Sequence, residues 1–213
     1  MNKAMPSCTV ALMLGILVFE SSCTTPKLKN ELQEQSSASA PALVVPDRLD
    51  DEWTRWILGE WGDFSEPGSD VKRNGWMKAE LGLNGQFLII RHENEITKED
   101  IEGLKEQMQT DDAQAAKFQS RTHKEVEYYT IDPQTREVIG YLFDSLRCIA
   151  VGRGSRQGNK EVVEWKGKGG QQEATSIRTT EKIAEDKLIM TDRYLTPDGS
   201  TWMEGTLEAT RRK

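Results

Sequence analysis

From residue 58 onward, apolar and polar side chains alternate with a period of two in short runs, the pattern of strands that bury one face. The runs cover 58–66, 71–83, 86–94, 122–131, 137–144, 146–154, 161–168, 173–183, 187–195 and 201–211. Pro67-Gly68, Asn84-Gly85, Asp132-Pro133, Gly158-Asn159, Gly169-Gly170 and Pro197-Asp198-Gly199 stand between runs, each a combination suited to reversing a strand. About ten strands at this spacing predict an all-β antiparallel barrel or sandwich. On the last run Met203, Gly205, Leu207, Ala209 and Arg211 share one face, which is read as the inward one.

Two segments follow the helical period instead. Leu49, Trp53, Trp56 and Ile57 recur at helical spacing just before Gly59 and predict a short helix closing one end of the domain. In 97–120, Thr97 and Asp100 make a capping-box-like start, and Ile101, Leu104 and Met108 share a face. This helical insertion is read either as a lid over a barrel mouth or as a surface excursion.

The N-terminus has a different character. Lys3 supplies a positive charge, 9–19 is almost continuously apolar, and Glu20-Ser21-Ser22-Cys23 follows. That order is a signal peptide, and an apolar run this short falls well below the about 20 residues of a spanning helix. Ser21-Ser22-Cys23-Thr24-Thr25 resembles a bacterial lipoprotein processing site with Cys23 as the lipidated residue, although Glu20 stands where that pattern has an aliphatic residue. Simple cleavage and secretion is the alternative. Residues 24–46 are rich in Ser, Ala, Gln, Lys, Glu and Pro, too poor in apolar content to join a core, and read as a disordered tether. The expected division is therefore 1–23 signal peptide, 24–46 tether and 47–213 barrel, in an exported protein of the cell envelope.

Charge narrows the partners. The 213 residues carry 28 Lys and Arg against 35 Asp and Glu, a net charge of −7 with the two signs interspersed, so no basic stripe exists for nucleic acid. Cys148 is the lone cysteine of the barrel region, which rules out an internal disulfide there, and it reads as a small core residue.

Gly59-Glu60-Trp61 resembles the GxW signature of calycins, the superfamily of lipocalins and fatty-acid-binding proteins. Taken with Leu83-Asn84-Gly85-Gln86-Phe87, Tyr129-Thr130-Ile131-Asp132-Pro133-Gln134-Thr135 and Tyr141-Leu142-Phe143-Asp144-Ser145, it is similar to an uncharacterised bacterial family with a lipocalin-like barrel. Asn84 departs from that family's pattern by replacing its first glycine. The resemblance covers about 49–213 and implies a calycin-like barrel of about ten strands. It also implies a closure device in which Arg211 lays its guanidinium over the Trp61 indole where the first and last strands meet.

Catalytic chemistry is not evident. His92 and His123 are the only histidines, and neither an HExxH motif nor a Cys/His cluster is present, so no metal and no cofactor are assigned. Each histidine reads as a satisfied surface or core residue, although the two rings would approach if their strands paired. No GxSxG elbow occurs, and Ser145 has no base beside it. The glycine-rich stretches Gly152-Arg153-Gly154-Ser155 and Gly167-Lys168-Gly169-Gly170 lack Walker spacing and are read as hairpin turns. Two functions remain. The first is a binding module holding a small apolar ligand such as a lipid, with Phe87, Ile89 and Tyr141 as lining residues and Arg91 and Arg178 available for an anionic head group, provided the inward phase is right. The second is a structural or interaction protein whose barrel is filled by its own side chains.

Overall fold

The computed structural model describes residues 45–97, 122–145, 147–169 and 172–213. The expected signal peptide with Cys23, nearly all of the expected tether, and the expected helical insertion beyond Thr97 lie outside these residues. Among the described residues eleven strands follow in chain order: β1 (Gly59–Ser65), β2 (Lys72–Arg73), β3 (Gly75–Gly82), β4 (Phe87–Glu95), β5 (Thr122–Ile131), β6 (Val138–Asp144), β7 (Cys148–Gln157), β8 (Lys160–Gly169), β9 (Gln172–Ala184), β10 (Lys187–Leu195) and β11 (Thr201–Arg211). Consecutive strands pair antiparallel from β3 to β11, β1 pairs with β3, and β1 also pairs with β11. That last pairing closes a ring of 10 strands. The two-residue β2 lies outside the ring, where Arg73 and Lys72 pair with the end of β1.

Local chemistry explains most of the boundaries. Helix α1 (Glu52–Ile57) starts where the Asp51 carboxylate accepts the Thr54 N–H at 3.0 Å and the Thr54 hydroxyl at 2.5 Å. It stops where Leu58 turns extended and Gly59 adopts φ 120°. A side chain at Gly59 would be strained by that angle and would meet Arg211 Nη1 at 2.9 Å. The turn into β4 runs through Leu83, Asn84 and Gly85 with φ of 49°, 59° and 82°, and Asn84 is a residue that tolerates this left-handed region.

Helix α1 lies across one end of the barrel. Trp53, Trp56 and Ile57 belong to the same buried cluster as Trp61, Leu88, Val138, Trp165 and Leu188. The turns β3–β4, β5–β6, β7–β8 and β9–β10 gather at this end, whereas β4 ends and β5 begins at the other.

The stretch Gly152–Ser155 corrects the hairpin reading, because it lies inside β7 and not at a turn. Gly152 pairs directly with Gly140 of β6 on one side and with Trp165 of β8 on the other. A Cβ at Gly140 would come within 2.6 Å of the Trp165 ring and one at Gly152 within 2.8 Å, so the two glycines form the recess that takes the indole. Trp165 then meets Tyr129 edge to face at 5.7 Å.

Candidate functional site

The strand pleat sorts the residues expected to form a site. On β4, Leu88, Ile90 and His92 are buried and face the interior, which leaves Phe87, Ile89 and Arg91 on the outer side. The inward reading of Phe87, Ile89 and Arg91 is thereby corrected by one residue of phase. Arg91 pairs with Glu80 of β3 at the surface, and Ile89 lies over Gly82. Tyr141 is also outside and 42% exposed, while its neighbours Gly140 and Leu142 face in. Arg178 does point inward and is buried. Cys23 lies outside the described residues.

At the seam, Trp61 and Arg211 are direct partners across β1 and β11, and the guanidinium carbon stands 4.3 Å from the indole centroid. Trp61 is fully buried, donates its indole N–H to the Ile57 carbonyl at 2.9 Å and packs edge-on against Trp56 at 5.3 Å. Arg211 donates to the carbonyls of Leu58 and Trp56, the last turn of α1. One arginine thus covers the seam indole and ties down the C-terminal end of the closing helix.

The interior holds a cluster of ionisable groups centred on Arg178. Its Nε and Nη2 donate to the two Asp192 oxygens at 2.7 and 3.2 Å, and Asp192 is its direct cross-strand partner on β10. Its Nη1 donates to Glu125 at 3.2 Å and to Glu127 Oε1. Glu127 Oε2 accepts the Tyr129 hydroxyl at 2.9 Å and faces His92 Nε2 at 3.6 Å. His92 pairs across the strands with Glu125. On the same face of β5, His123 Nε2 lies 3.4 Å from Asp144, whose other oxygen accepts the Cys148 backbone N–H at 2.8 Å.

Both histidines are core residues, but the expectation that each would be satisfied needs correction. His92 Nε2 and His123 Nδ1 are buried without a hydrogen-bond partner. A second ionic group stands between this cluster and α1, where Arg156 donates to Glu161 at 2.5 Å, to Asp51 at 3.0 Å and to Thr54 at 2.8 Å.

Burial raises the proton affinity of these carboxyls, and unequal contact with charged neighbours separates them. Burial pushes the Glu125 carboxyl up to about 7 against the pull of Arg178, with the Glu127 charge adding to the rise. Glu127 feels the same burial, but Arg178 and His92 hold it down to about 2. Burial raises Glu161 despite Arg156. Arg178 stays charged because Asp192, Glu127 and Glu125 outweigh its own desolvation. The Cys148 thiol is pushed up to about 12 by burial and by Asp144 and Glu125, so it is held protonated, which is inert chemistry for a cysteine.

Sequence reasoning missed His92, Glu125, Glu127 and Asp192 as one constellation. A signal existed in β5, where His123, Glu125, Glu127 and Tyr129 occupy alternate positions and so share a face. Two small cavities touch the cluster. One, about 20 Å³, is lined by His92, Glu127, Tyr129, Glu161 and Arg178 among others, and the second, also about 20 Å³, by Glu125, Asp144, Ser176, Arg178 and Tyr194. Compared with known proteins, the chain matches no protein-family model and no curated protein.

Proposed function

We propose that this chain is an exported envelope protein, anchored through Cys23, whose barrel is an interaction module and not a lipid carrier. The small size of the cavities around the buried ionic cluster carries this reading. Among the described residues, the two cavities that touch the ionic cluster are about 20 Å³ each and take no more than a water molecule. Pockets for small organic ligands span roughly 300–1,000 Å³ and are lined mainly by apolar groups. Arg178, the residue available inside for an anionic head group, is already engaged by three carboxylates of the protein itself. The larger hollows, about 430 Å³ beside Trp76, Glu93 and Glu95 and about 320 Å³ beside Trp53, Trp56 and Lys182, open on the surface.

The outer face supports action through the surface. Tyr141 pairs with Val151 and Phe143 with Ile149 across β6 and β7, and all four are exposed. Tyr128 of β5 extends the group, meeting Phe143 edge to face at 6.4 Å. A contiguous apolar patch on an outer sheet face suits a protein partner.

An environment-sensitive fatty-acid probe titrated into the protein is therefore expected to show no saturable brightening. Native mass spectrometry of protein purified without detergent is expected to show the bare mass of the chain. Saturable one-to-one binding reversed by natural lipids would replace the interaction reading with lipid carriage. The anchor has its own test in cells: Cys23→Ala is expected to move the protein from the membrane fraction to the soluble fraction. An unprocessed cytoplasmic chain on fractionation would refute export itself.

A further inference from the structure

One nitrogen and two carboxylates in the barrel stand as a ligand set. A donor atom from each of His92, Glu125 and Glu127 lies within 4.8 Å of the other two, and all three residues are buried. His92 Nε2 lies 3.6 Å from Glu127 Oε2, too far for a hydrogen bond, and has no other partner among the described residues. A tetrahedral Zn²⁺ with ligands at about 2.0–2.1 Å sets its donors roughly 3.3 Å apart, so this gap is close to the edge of such a tetrahedron.

The charge balance points the same way. Glu125 and Glu127 share the Arg178 guanidinium, which also holds Asp192, while Arg156 pairs with Glu161 and Asp51. Buried carboxylates in excess of their cations are costly unless a proton or a cation joins them. Glu127 divides its two oxygens, Oε1 taking Arg178 while Oε2 accepts the Tyr129 hydroxyl and faces His92, so an ion between Oε2 and the imidazole leaves the arginine contact in place. The cavity lined by His92 and Glu127 and the one lined by Glu125 flank this point, each with room for one water.

We propose that His92, Glu125 and Glu127 form a site for one first-row divalent transition-metal ion inside the barrel, with water from the flanking cavities completing its shell. The imidazole favours such an ion over Mg²⁺ or Ca²⁺, which prefer all-oxygen sites. Binding joins β4 to β5 and, through the carboxylates held by Arg178, to β9. The site is thus a structural staple. This inference stands apart from the interaction reading, because it concerns the interior and leaves the outer face unchanged.

The test uses the full chain without a histidine tag, freed of metal with a chelator, and Co²⁺ and Zn²⁺ as probes. Each probe is offered both to the folded protein and during refolding from urea. The expected result is one ion per chain, visible Co²⁺ absorption of the intensity typical of low-coordinate nitrogen and oxygen sites, and a higher melting temperature with Zn²⁺. His92→Gln keeps a neutral side chain of similar reach but removes the imidazole; it is expected to weaken Zn²⁺ binding by at least about tenfold. Circular dichroism of that variant without metal checks that the barrel persists, and Glu127→Gln provides a second ligand variant should it not. Absence of saturable binding to the wild type overturns the proposal. So does binding that survives His92→Gln unchanged, or that is lost only in His123→Gln, which would place the ion at the His123–Asp144 pair.

Discussion

Replacing Arg178 with methionine is expected to destabilise the barrel by about 3–5 kcal/mol at neutral pH, the usual cost of removing one partner from a buried ionic group. Methionine fills much of the space of the arginine stem, so the loss reports charge more than volume. Glu125, Glu127 and Asp192 would all lose the group that now binds them. The pH dependence identifies the cause. In the wild type, Glu127 is held down to about 2 from an ordinary 4.5, so its contribution is present above about 4.5 and is lost as the pH falls toward 2. Without Arg178 that pull disappears, and burial, which already pushes Glu125 up to about 7, acts on both carboxyls. Groups raised in the folded state stabilise it at low pH and cease to do so as the pH rises through their folded values. The deficit of Arg178→Met should therefore be largest near pH 7.5 and shrink toward pH 5, read by urea unfolding at the two values. An equal deficit at both would assign the residue a packing role.

Trp61→Ala is expected to cost about 3–5 kcal/mol, the range for truncating a large buried aromatic side chain. Three contacts converge on this indole: the N–H to the Ile57 carbonyl, the edge of Trp56, and the overlying Arg211 guanidinium. Its loss opens a void at the junction of β1, β11 and α1. Trp61→Phe retains most of the apolar contact and forfeits the hydrogen bond, so its unfolding midpoint should fall between those of the wild type and Trp61→Ala. If Trp61→Ala unfolds at the wild-type urea concentration, the seam is held by strand pairing alone.

The legible parts of this fold are those set by neighbours in the chain. The runs at 122–131, 187–195 and 201–211 coincide with β5, β10 and β11. Residue period and turn chemistry act over a few positions, and no distant contact is needed to read them. The last strand also shows its phase: Met203, Leu207 and Ala209 are buried as their alternation with Glu204 and Glu208 indicates. Strand β4 shows the limit. Phe87, Leu88, Ile89 and Ile90 are four apolar residues in succession, so alternation says nothing about which face turns in, and the buried phase lies one residue from the one expected for Phe87, Ile89 and Arg91. Trp165 decides the matter for the glycines of β6 and β7, because its indole requires a recess two strands wide that only the register provides.

What the sequence determined by itself was an all-β chain of short antiparallel strands, with a tryptophan and an arginine available at the two ends that meet. The alternation in β5 puts its polar residues on one face, but which partners meet them in the interior was decided by tertiary structure. Arg178 and Glu127 are 51 positions apart and become neighbours only because the sheet curls until β5 and β9 face each other across the barrel. A hydrophobic pattern predicts where apolar side chains go, whereas a buried carboxylate is tolerated only if a distant partner arrives to balance it. The partner is supplied by closure of the ring, so the polar residues of β5 can be assigned to the interior only once β1 has met β11.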